Sequence, residues 1–395
     1  MSRQSGRLFF VKILSKKIYN DRIKTDGDCC MGENFNIINF LKSAVATGAS
    51  DEHLKVGHSP YIRKNGFIKR TNMQPLTKED LDAAILEVAP PAIKNEILTM
   101  CDVDFMFEIK GHSRFRINYN RQIGQPGLVI RNISYKIPCL KDLSLPEILN
   151  SFIEYQNGII LVTGPTGSGK STTIASLIDQ VNANSCKHIV TIEDPIEYVF
   201  NCKRSIISQR QVGVDTKTFS DGIKYALRQD PDVIFIGEIR DKETMEAALK
   251  ASETGHLVLS TLHTNDAVQT INRIVNMFEE SNRYLIRKQL SETLRATIAQ
   301  KLVYSEKEQK RFPACEIMVV TPTIKDYINK DNTDEIYELL RDNTIDNMIS
   351  MNSSLAILSD KGFISQEQAL EYSNDESELE KIFRGVYQGT KAYYE

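Results

Sequence analysis

Between residues 150 and 270 the chain alternates short apolar runs with helical stretches, and this alternation constrains the fold more than any other feature. The apolar runs are GIILVTG, HIVTIED, DVIFIGE and HLVLSTL, and stretches such as TIASLIDQV and KETMEAALKASE lie between them. Continuous apolar runs of this length are typical of strands that are buried on both faces of a parallel sheet. The pattern therefore predicts a three-layer α/β domain with helices on both faces of the sheet.

The preceding residues have a different pattern. Phe35, Ile38, Leu41 and Val45 recur three or four positions apart, as on one face of a helix. FMFEI, SRFRINY and LVIRNI are rich in strand-forming residues, and SRFRINY alternates apolar residues with arginines. These segments predict a small α+β domain over residues 31–135.

Changes in composition predict the remaining boundaries. The N-terminus, MSRQSGRLFFVKILSKKIYND, is basic, and we expect it to be a disordered extension. The segment YKIPCLKDLSLPE contains two prolines and is typical of a linker. Ser365 and Gln368 form a capping-box pattern, which predicts the start of a late helix. The expected divisions are an extension (1–30), the α+β domain (31–135), a linker (136–150), the α/β domain (151–280) and a mainly helical region (281–395).

Composition excludes several classes of protein. The chain has 395 residues, a net charge of -3 and 41% hydrophobic residues, as expected for a globular protein rather than a disordered one. A non-specific nucleic-acid binder would be strongly basic, so we expect no nucleic-acid partner. No apolar run approaches the ~18 residues of a transmembrane segment. The seven cysteines contain no C-x-x-C pair, which disfavours a zinc ribbon and fits a reducing cytoplasm.

The segment GPTGSGKS matches the phosphate-binding pattern G-x-x-x-x-G-K-[ST] and lies between a predicted strand and a predicted helix, as that pattern requires. Backbone N–H groups of such a loop surround phosphates at the start of a helix. We expect Lys170 to reach the β- and γ-phosphates of ATP and the Ser171 hydroxyl to bind Mg²⁺. The predicted nucleotide-binding residues are Gly164, Pro165, Thr166, Gly167, Ser168, Gly169, Lys170, Ser171 and Thr172.

Acidic residues follow two of the predicted strands. Glu238 follows DVIFIG, at the strand end where open α/β sheets place their ligands, and is expected to orient Mg²⁺ or its water. Glu193, Asp194 and Glu197 follow another apolar run, in TIEDPIEY. Clustered acids are often only a solvated turn, but here they favour activation of a water molecule, with Glu197 as the leading candidate base.

Two histidines flank the apolar run VLSTL. His256 and His263 are seven residues apart, so a strand between them would direct them to opposite faces and prevent them from sharing one metal. They could be ordinary core histidines. Because they follow the Glu238 strand and the next helix, we expect them beside the phosphates, where they would sense the nucleotide.

GPTGSGKSTT, TIEDPIEY, ALRQDPDVIFIGEIRD and TGHLVLSTLHTNDA resemble the Walker A, Asp box, Walker B and His box of the secretion ATPases, the GspE/PilT superfamily. The similarity covers roughly residues 31 to 373 and is strongest to the pilus retraction branch. It implies a PAS-like N-terminal domain, a RecA-like ATPase core, and a homohexameric ring. The ring would work in the cytoplasm at the inner membrane face, on a platform protein of the type IV pilus.

The resemblance also implies roles for individual residues. Glu238 would be the Walker B glutamate, and Glu197 the catalytic glutamate of the Asp box. Arg116 and Arg131 match N-terminal arginines that stabilise the transferred phosphoryl group. Arg210 matches a further arginine of the retraction branch. The candidate catalytic residues are thus Glu197, Glu238, Glu193, Arg116, Arg131 and His263, with His256 and Arg210 at the nucleotide and Ser171 and Glu238 at the metal.

Two departures from the family pattern bear on function. The retraction branch usually carries AIRNLIRE, whereas this chain has TIKDYINK at residues 323–330. A further arginine is absent at Gly124, and Arg121 lies three residues earlier. An assembly or secretion motor of the same chemistry is therefore an alternative to retraction. A nucleic-acid translocase is a weaker alternative, and stimulation of ATP hydrolysis by DNA or RNA would favour it. A nucleotide-sensing scaffold is another, and absence of ATP turnover would favour it.

Overall fold

The computed structural model describes residues 35–64, 66–133, 137–341 and 348–385. The predicted extension, residues 1–30, lies outside these ranges. By its internal contacts the chain divides into two compact units, Met1–Tyr135 and Lys136–Glu395.

The described part of the first unit is an antiparallel sheet with two α-helices, α+β as predicted. The elements are α1 (Ile37–Ala46), β1 (Asp51–Lys55), β2 (Tyr61–Lys64), β3 (Phe67–Arg70), α2 (Lys78–Val88), a 3₁₀ helix (Ile97–Thr99), β4 (Asp102–Ile109), β5 (Ser113–Gln122) and β6 (Gln125–Ile133). The strands have the order β3-β2-β1-β6-β5-β4. Helix α1 buries Ile37, Phe40 and Leu41, which confirms the predicted N-terminal helix.

The second unit is built on a seven-stranded sheet among the described residues. Its strands are β7 (Gly158–Thr163), β8 (His188–Glu193), β9 (Ile206–Gln211), β10 (Val233–Ile236), β11 (Leu257–Leu262), β12 (Leu294–Ser305) and β13 (Lys310–Val319). They have the order β13-β12-β7-β11-β10-β8-β9, and of these only β13 is antiparallel to its neighbour. All four predicted apolar strands are confirmed.

Helices cover both faces of this sheet, which confirms the three-layer α/β architecture. The two faces have separate apolar clusters, one around Val190, Ile234 and Val258 and the other around Ile160 and Val162. The helices are α3 (Lys170–Asn184), α4 (Phe219–Ala226), α5 (Lys242–Glu253), α6 (Ala267–Asn276), α7 (Glu280–Thr293), α8 (Pro322–Lys330), α9 (Asp334–Arg341), α10 (Met351–Asp360), α11 (Gln366–Tyr372) and α12 (Glu376–Phe383), with a 3₁₀ helix at Glu147–Glu154.

One expectation needs correction. The segment predicted as a linker packs onto the second unit, with Leu140, Leu145 and Leu149 buried in its core. The region after residue 280 contains six of the described helices together with β12 and β13, which extend the main sheet. The capping box is confirmed, with Ser365 and Gln368 each bonding the other's backbone N–H at the start of α11.

Candidate nucleotide site

Four neighbouring parallel strands bring the predicted residues to one edge of the sheet. Strands β7, β11, β10 and β8 lie side by side and run in the same direction. The phosphate loop follows β7, and His263 follows β11 directly. Glu238 is separated from β10 by one residue, Gly237, and Glu193 is the last residue of β8. Because the carboxyl ends of parallel strands share an edge, these groups form one site.

Two glycines of the phosphate loop are required by its geometry. Gly164 and Gly169 have φ of +140° and +91°, in the region that L-residues rarely adopt. A Cβ at Gly164 would lie 2.3 Å from the carbonyl oxygen of Gln300, and one at Gly169 would lie 2.8 Å from the Gln300 amide nitrogen. The loop backbone therefore closes against β12 at two points.

Helix α3 begins directly after this loop. Its N-cap, Gly169, provides no side-chain hydrogen bond, and the first turn contains no acidic residue. The first N–H groups of a helix have no intrahelical partner and carry a partial positive charge. The start of α3 is therefore suited to an anion such as a phosphate.

Lys170, the first residue of α3, lies along the loop. Its Nζ donates to the carbonyl oxygens of Gly164 at 2.9 Å and Pro165 at 3.0 Å. Burial lowers the pKa of Lys170, while the nearby carboxylates of Glu238 and Glu197 act in the opposite direction. The ammonium group thus lies among the loop carbonyls and close to both predicted acids.

The remaining loop residues differ in exposure. The tip, residues 165–167, is exposed, whereas Ser168 is buried and its Oγ has no hydrogen-bond partner among the described residues. Ser171 is half-buried in the first turn of α3. Thr172 Oγ1 lies 3.0 Å from the Tyr198 hydroxyl, so the Asp-box segment contacts the start of the helix directly.

Gln300 on β12 is a residue of the site that the sequence did not predict. Its side chain is 3% exposed, and its Oε1 accepts a hydrogen bond of 2.8 Å from Thr173 of α3. Its backbone oxygen and amide nitrogen are the atoms that approach Gly164 and Gly169. The sequence did not predict Gln300 because the pattern of β12, which carries it, does not indicate a strand.

Glu193 and Glu197 have different environments. Glu193 is 5% exposed and accepts hydrogen bonds from Thr191 Oγ1 at 2.7 Å and Gln209 Nε2 at 3.4 Å. Its other oxygen accepts the backbone N–H of Glu197 at 3.3 Å. Burial raises the pKa of Glu193 to about 7. This geometry favours Glu193 as the group that fixes the loop, whereas the side chain of Glu197 is exposed and accessible to water.

Glu238 lies between two cationic or potentially cationic side chains. Its Oε1 pairs with Arg240, and its Oε2 lies 3.4 Å from His263 Nε2. The Glu238 side chain is only 14% exposed, and its hydrogen bond raises the pKa of Arg240. Arg240 is a second residue that the sequence analysis missed, although it lies two positions after Glu238 in GEIRD.

The expected position of His256 is wrong. His256 precedes β11, and its carbonyl oxygen accepts the N–H of Gly158, the first residue of β7. It therefore lies at the amino edge of the sheet, about 23 Å along the strand from His263, given the ~3.3 Å rise per residue. Its Nδ1 lies 2.9 Å from Ala251 O. The distance between His256 and His263 along the strand is too great for one metal to bind both histidines.

Two of the predicted arginines belong to the first unit. In the first unit, Arg116 and Arg131 are register partners on β5 and β6. Arg116 lies 3.8 Å from Asp104, and Arg131 lies 3.0 Å from Asp51. Both side chains are partly exposed, at 39% and 63%.

Arg210 is on β9, the strand at one edge of the main sheet. Its Nη2 donates to the carbonyl oxygen of Asp215 at 3.0 Å. Its Nη1 is buried without a hydrogen-bond partner among the described residues. The structure does not bring Arg210 to the phosphate loop.

The donors of the site suit magnesium. A hydroxyl at Ser171 and a carboxylate at Glu238 are hard oxygen ligands, and Mg²⁺ in nucleotide sites takes one or two such ligands together with phosphates and water. No cluster of three or more His, Cys, Asp or Glu residues suited to a metal occurs in the described ranges.

In the described ranges, no helix is both long and apolar enough to cross a membrane.

The profile of the family described as "Type II/IV secretion system protein" matches residues 141–369. The type IV pilus retraction ATPase PilT of Pseudomonas aeruginosa is 39% identical over 336 residues, which cover 85% of this chain and 97% of that protein. A twitching motility protein of Neisseria gonorrhoeae is 36% identical over 335 residues, covering 85% of this chain and 90% of that protein.

Two solved structures of secretion-system ATPases have folds similar to that of this chain. The crystal structure of the pilus retraction motor PilT with bound ADP superimposes with a TM-score of 0.81 at 43% identity, covering 88% of this chain and 99% of that one. The ATPase DotB of Legionella pneumophila has a TM-score of 0.77 at 27% identity, covering 90% of this chain and 98% of the other.

Proposed function

Because the chain belongs to the type II/IV secretion system protein family, an ATPase family, we propose that it is the ATP-hydrolysing motor that retracts type IV pili. The observation that carries the proposal is the meeting of the phosphate loop, Glu197, Glu238 and His263 at one sheet edge. The names of its relatives, a pilus retraction ATPase and a twitching motility protein, favour retraction as the work performed.

Each residue of the site has a chemical role in this proposal. Lys170 exchanges the loop carbonyls for the β- and γ-phosphate oxygens, and the start of α3 binds the remaining negative charge. Ser171 and Glu238 would hold Mg²⁺, which would neutralise phosphate charge when bound. Glu197 accepts the proton of the attacking water, while Glu193 fixes its backbone.

The remaining parts of the proposal concern assembly. Arg116 and Arg131 complete the site as cations that stabilise the transferred phosphoryl group, as arginine fingers do. The chain forms a homohexameric ring with nucleotide between domains. It works in the cytoplasm at the inner face of the membrane, on a platform protein of the pilus. Its exposed arginines and its similarity to PilT support this arrangement.

One observation favours an assembly or secretion motor as the second candidate. In α8, which corresponds to AIRNLIRE, the buried residues Ile324 and Ile328 match the two isoleucines of that motif. The departures that change charge lie at its more exposed positions, among them Asp326 and Lys330, whereas Lys325 keeps the charge of the arginine it replaces. A partner that binds this surface would contact different charges, whereas the packing of the helix is retained.

Counting surface pili by electron microscopy separates these candidates. The host would carry Glu197→Gln in place of the wild-type residue, and Lys170→Ala would serve as a second inactive variant. Retraction predicts more or longer pili and loss of twitching in both variants. Bald cells would instead establish an assembly motor, and unchanged pili would favour a secretion system.

A further inference from the structure

Both carboxylate oxygens of Glu238 lie near side chains of the same chain. Arg240 pairs with Oε1, and His263 Nε2 lies 3.4 Å from Oε2. The residue between the pair, Ile239, is 3% exposed, and its N–H donates to Thr261 O at 3.1 Å. This anchor fixes the short segment between β10 and α5, so that Glu238 and Arg240 meet above it.

Arg240 is exposed, and Glu238 is the partner that holds it. The side chain of Arg240 is 68% exposed, whereas that of Glu238 is 14% exposed. The next residue, Asp241, already accepts the N–H of Thr244 at 2.8 Å as the N-cap of α5. Within the described ranges, Arg240 makes no ion pair with any other acid. Its guanidinium group can therefore leave Glu238 without breaking a second ion pair, although Asp194 also acts on its charge.

A guanidinium group and a divalent cation use the same lone pairs of a carboxylate. We propose that Arg240 competes with magnesium for the Glu238 carboxylate and thereby sets the metal affinity of the site. Arg240 is a positioning residue in this account: it occupies the carboxylate before the metal arrives and is released when the metal binds. The inference rests on the proposed function, in which Glu238 holds Mg²⁺.

Direct metal binding tests this inference without relying on turnover. Full-length protein with a non-hydrolysable ATP analogue would be titrated with Mn²⁺, and free Mn²⁺ would be measured by electron paramagnetic resonance. Arg240→Gln removes the competing charge and should lower the dissociation constant of Mn²⁺ about two- to fivefold, the range expected for an exposed ion pair. Arg240→Lys keeps the charge and should lower it less.

A matched control separates this competition from a general change in charge. Lys242 is also a cation at the start of α5, but it lies 3.8 Å from Glu246 and not at Glu238. Lys242→Gln should leave the Mn²⁺ dissociation constant within about 1.5-fold of wild type, since an exposed pair contributes little. An unchanged or higher constant in Arg240→Gln, or an equal fall in Lys242→Gln, would overturn the inference.

Glu238→Gln distinguishes failure of the inference from failure of the proposed function. If Glu238 holds the metal, this variant should bind Mn²⁺ at least about tenfold more weakly. Wild-type Mn²⁺ binding in Glu238→Gln would refute both. Weakened binding in Glu238→Gln, together with no change in Arg240→Gln, would refute only the competition. Nucleotide binding in EDTA and the melting temperature would establish that each variant is folded.

Discussion

Replacing Glu193 by glutamine is expected to stabilise the chain increasingly as the pH rises from 5 to 8. Burial raises the pKa of Glu193 from 4.5 to about 7 in the folded chain. The folded state therefore keeps a proton that the unfolded state releases, and stability is lost as the pH rises through this interval. Glutamine resembles the protonated acid in shape and does not ionise, so the variant lacks this loss.

The expected size follows from the two pKa values. Each pKa unit corresponds to about 1.4 kcal/mol, so the full difference between 4.5 and about 7 is about 3 kcal/mol. Between pH 5 and 8 the free energy of unfolding of the variant should rise by about 2–3 kcal/mol relative to wild type. The buried acids Glu52 and Glu316 also have raised pKa values, but they are present in both proteins and cancel in the comparison.

Urea unfolding at several pH values would measure this difference. Circular dichroism is the suitable probe, because the chain contains no tryptophan. The exposed residue Glu253 provides a matched control, and Glu253→Gln should differ from wild type by a nearly constant amount between pH 5 and 8. If the difference between Glu193→Gln and wild type is also independent of pH, the buried carboxyl does not titrate as described.

Three other substitutions test the packing around the site. Gln300→Leu should lower the free energy of unfolding by about 1–3 kcal/mol, because it leaves the buried hydroxyl of Thr173 without its 2.8 Å bond; adding Thr173→Val should recover much of that loss. Gly169→Ala should weaken ATP binding, measured with a fluorescent analogue, because the added Cβ would lie 2.8 Å from the Gln300 side-chain amide nitrogen. Lys301→Met should lower thermal stability, at a cost of about 1–3 kcal/mol, because Nζ makes two 2.7 Å bonds that tie β12 to the end of α11.

Each of these has an outcome that would count against it. Full destabilisation in the Gln300/Thr173 double variant would mean that the hydrogen bond is not the cause. Gly167→Ala, in the same loop, also places a Cβ at a positive φ (+81°) but with no atom within 4 Å, so an equal loss of ATP binding in both variants would implicate backbone strain alone. Lys301→Met with wild-type melting would show that the C-terminal helices are held by apolar packing.

The strands of the second unit could be predicted because burial and sequence pattern agree there. Strands β7 and β11 are buried at every position, and each reads as a continuous apolar run. The phosphate loop could be predicted because its glycines and lysine must occupy fixed positions between strand and helix.

Strand β12 could not be predicted, because its sequence pattern does not match its burial. Leu294, Ile298 and Leu302 are spaced by four, which imitates one face of a helix. The strand also buries polar residues such as Thr297 and Gln300, so it has neither an apolar run nor a regular alternation. Its pairing with β7 is a long-range contact that no local pattern contains.

The site shows the same division between local and distant information. Glu238 and His263 follow the ends of their strands and could be placed by strand direction alone. His256 precedes its strand, so the same rule, applied with the strand length, assigns it to the opposite edge. The contact of Arg240 with Glu238 depends on a turn around Ile239, and neither a charge nor a spacing in the sequence specifies that turn.

Hydrolysis of pre-bound ATP by Glu197→Gln shows whether Glu197 is the base that activates water at this sheet edge. We expect the variant to bind a fluorescent ATP analogue about as tightly as wild type. Single-turnover hydrolysis should be slower by about 10²- to 10⁴-fold, the usual contribution of a general base. Hydrolysis at the wild-type rate in a variant that binds ATP normally would mean that Glu197 is not the base.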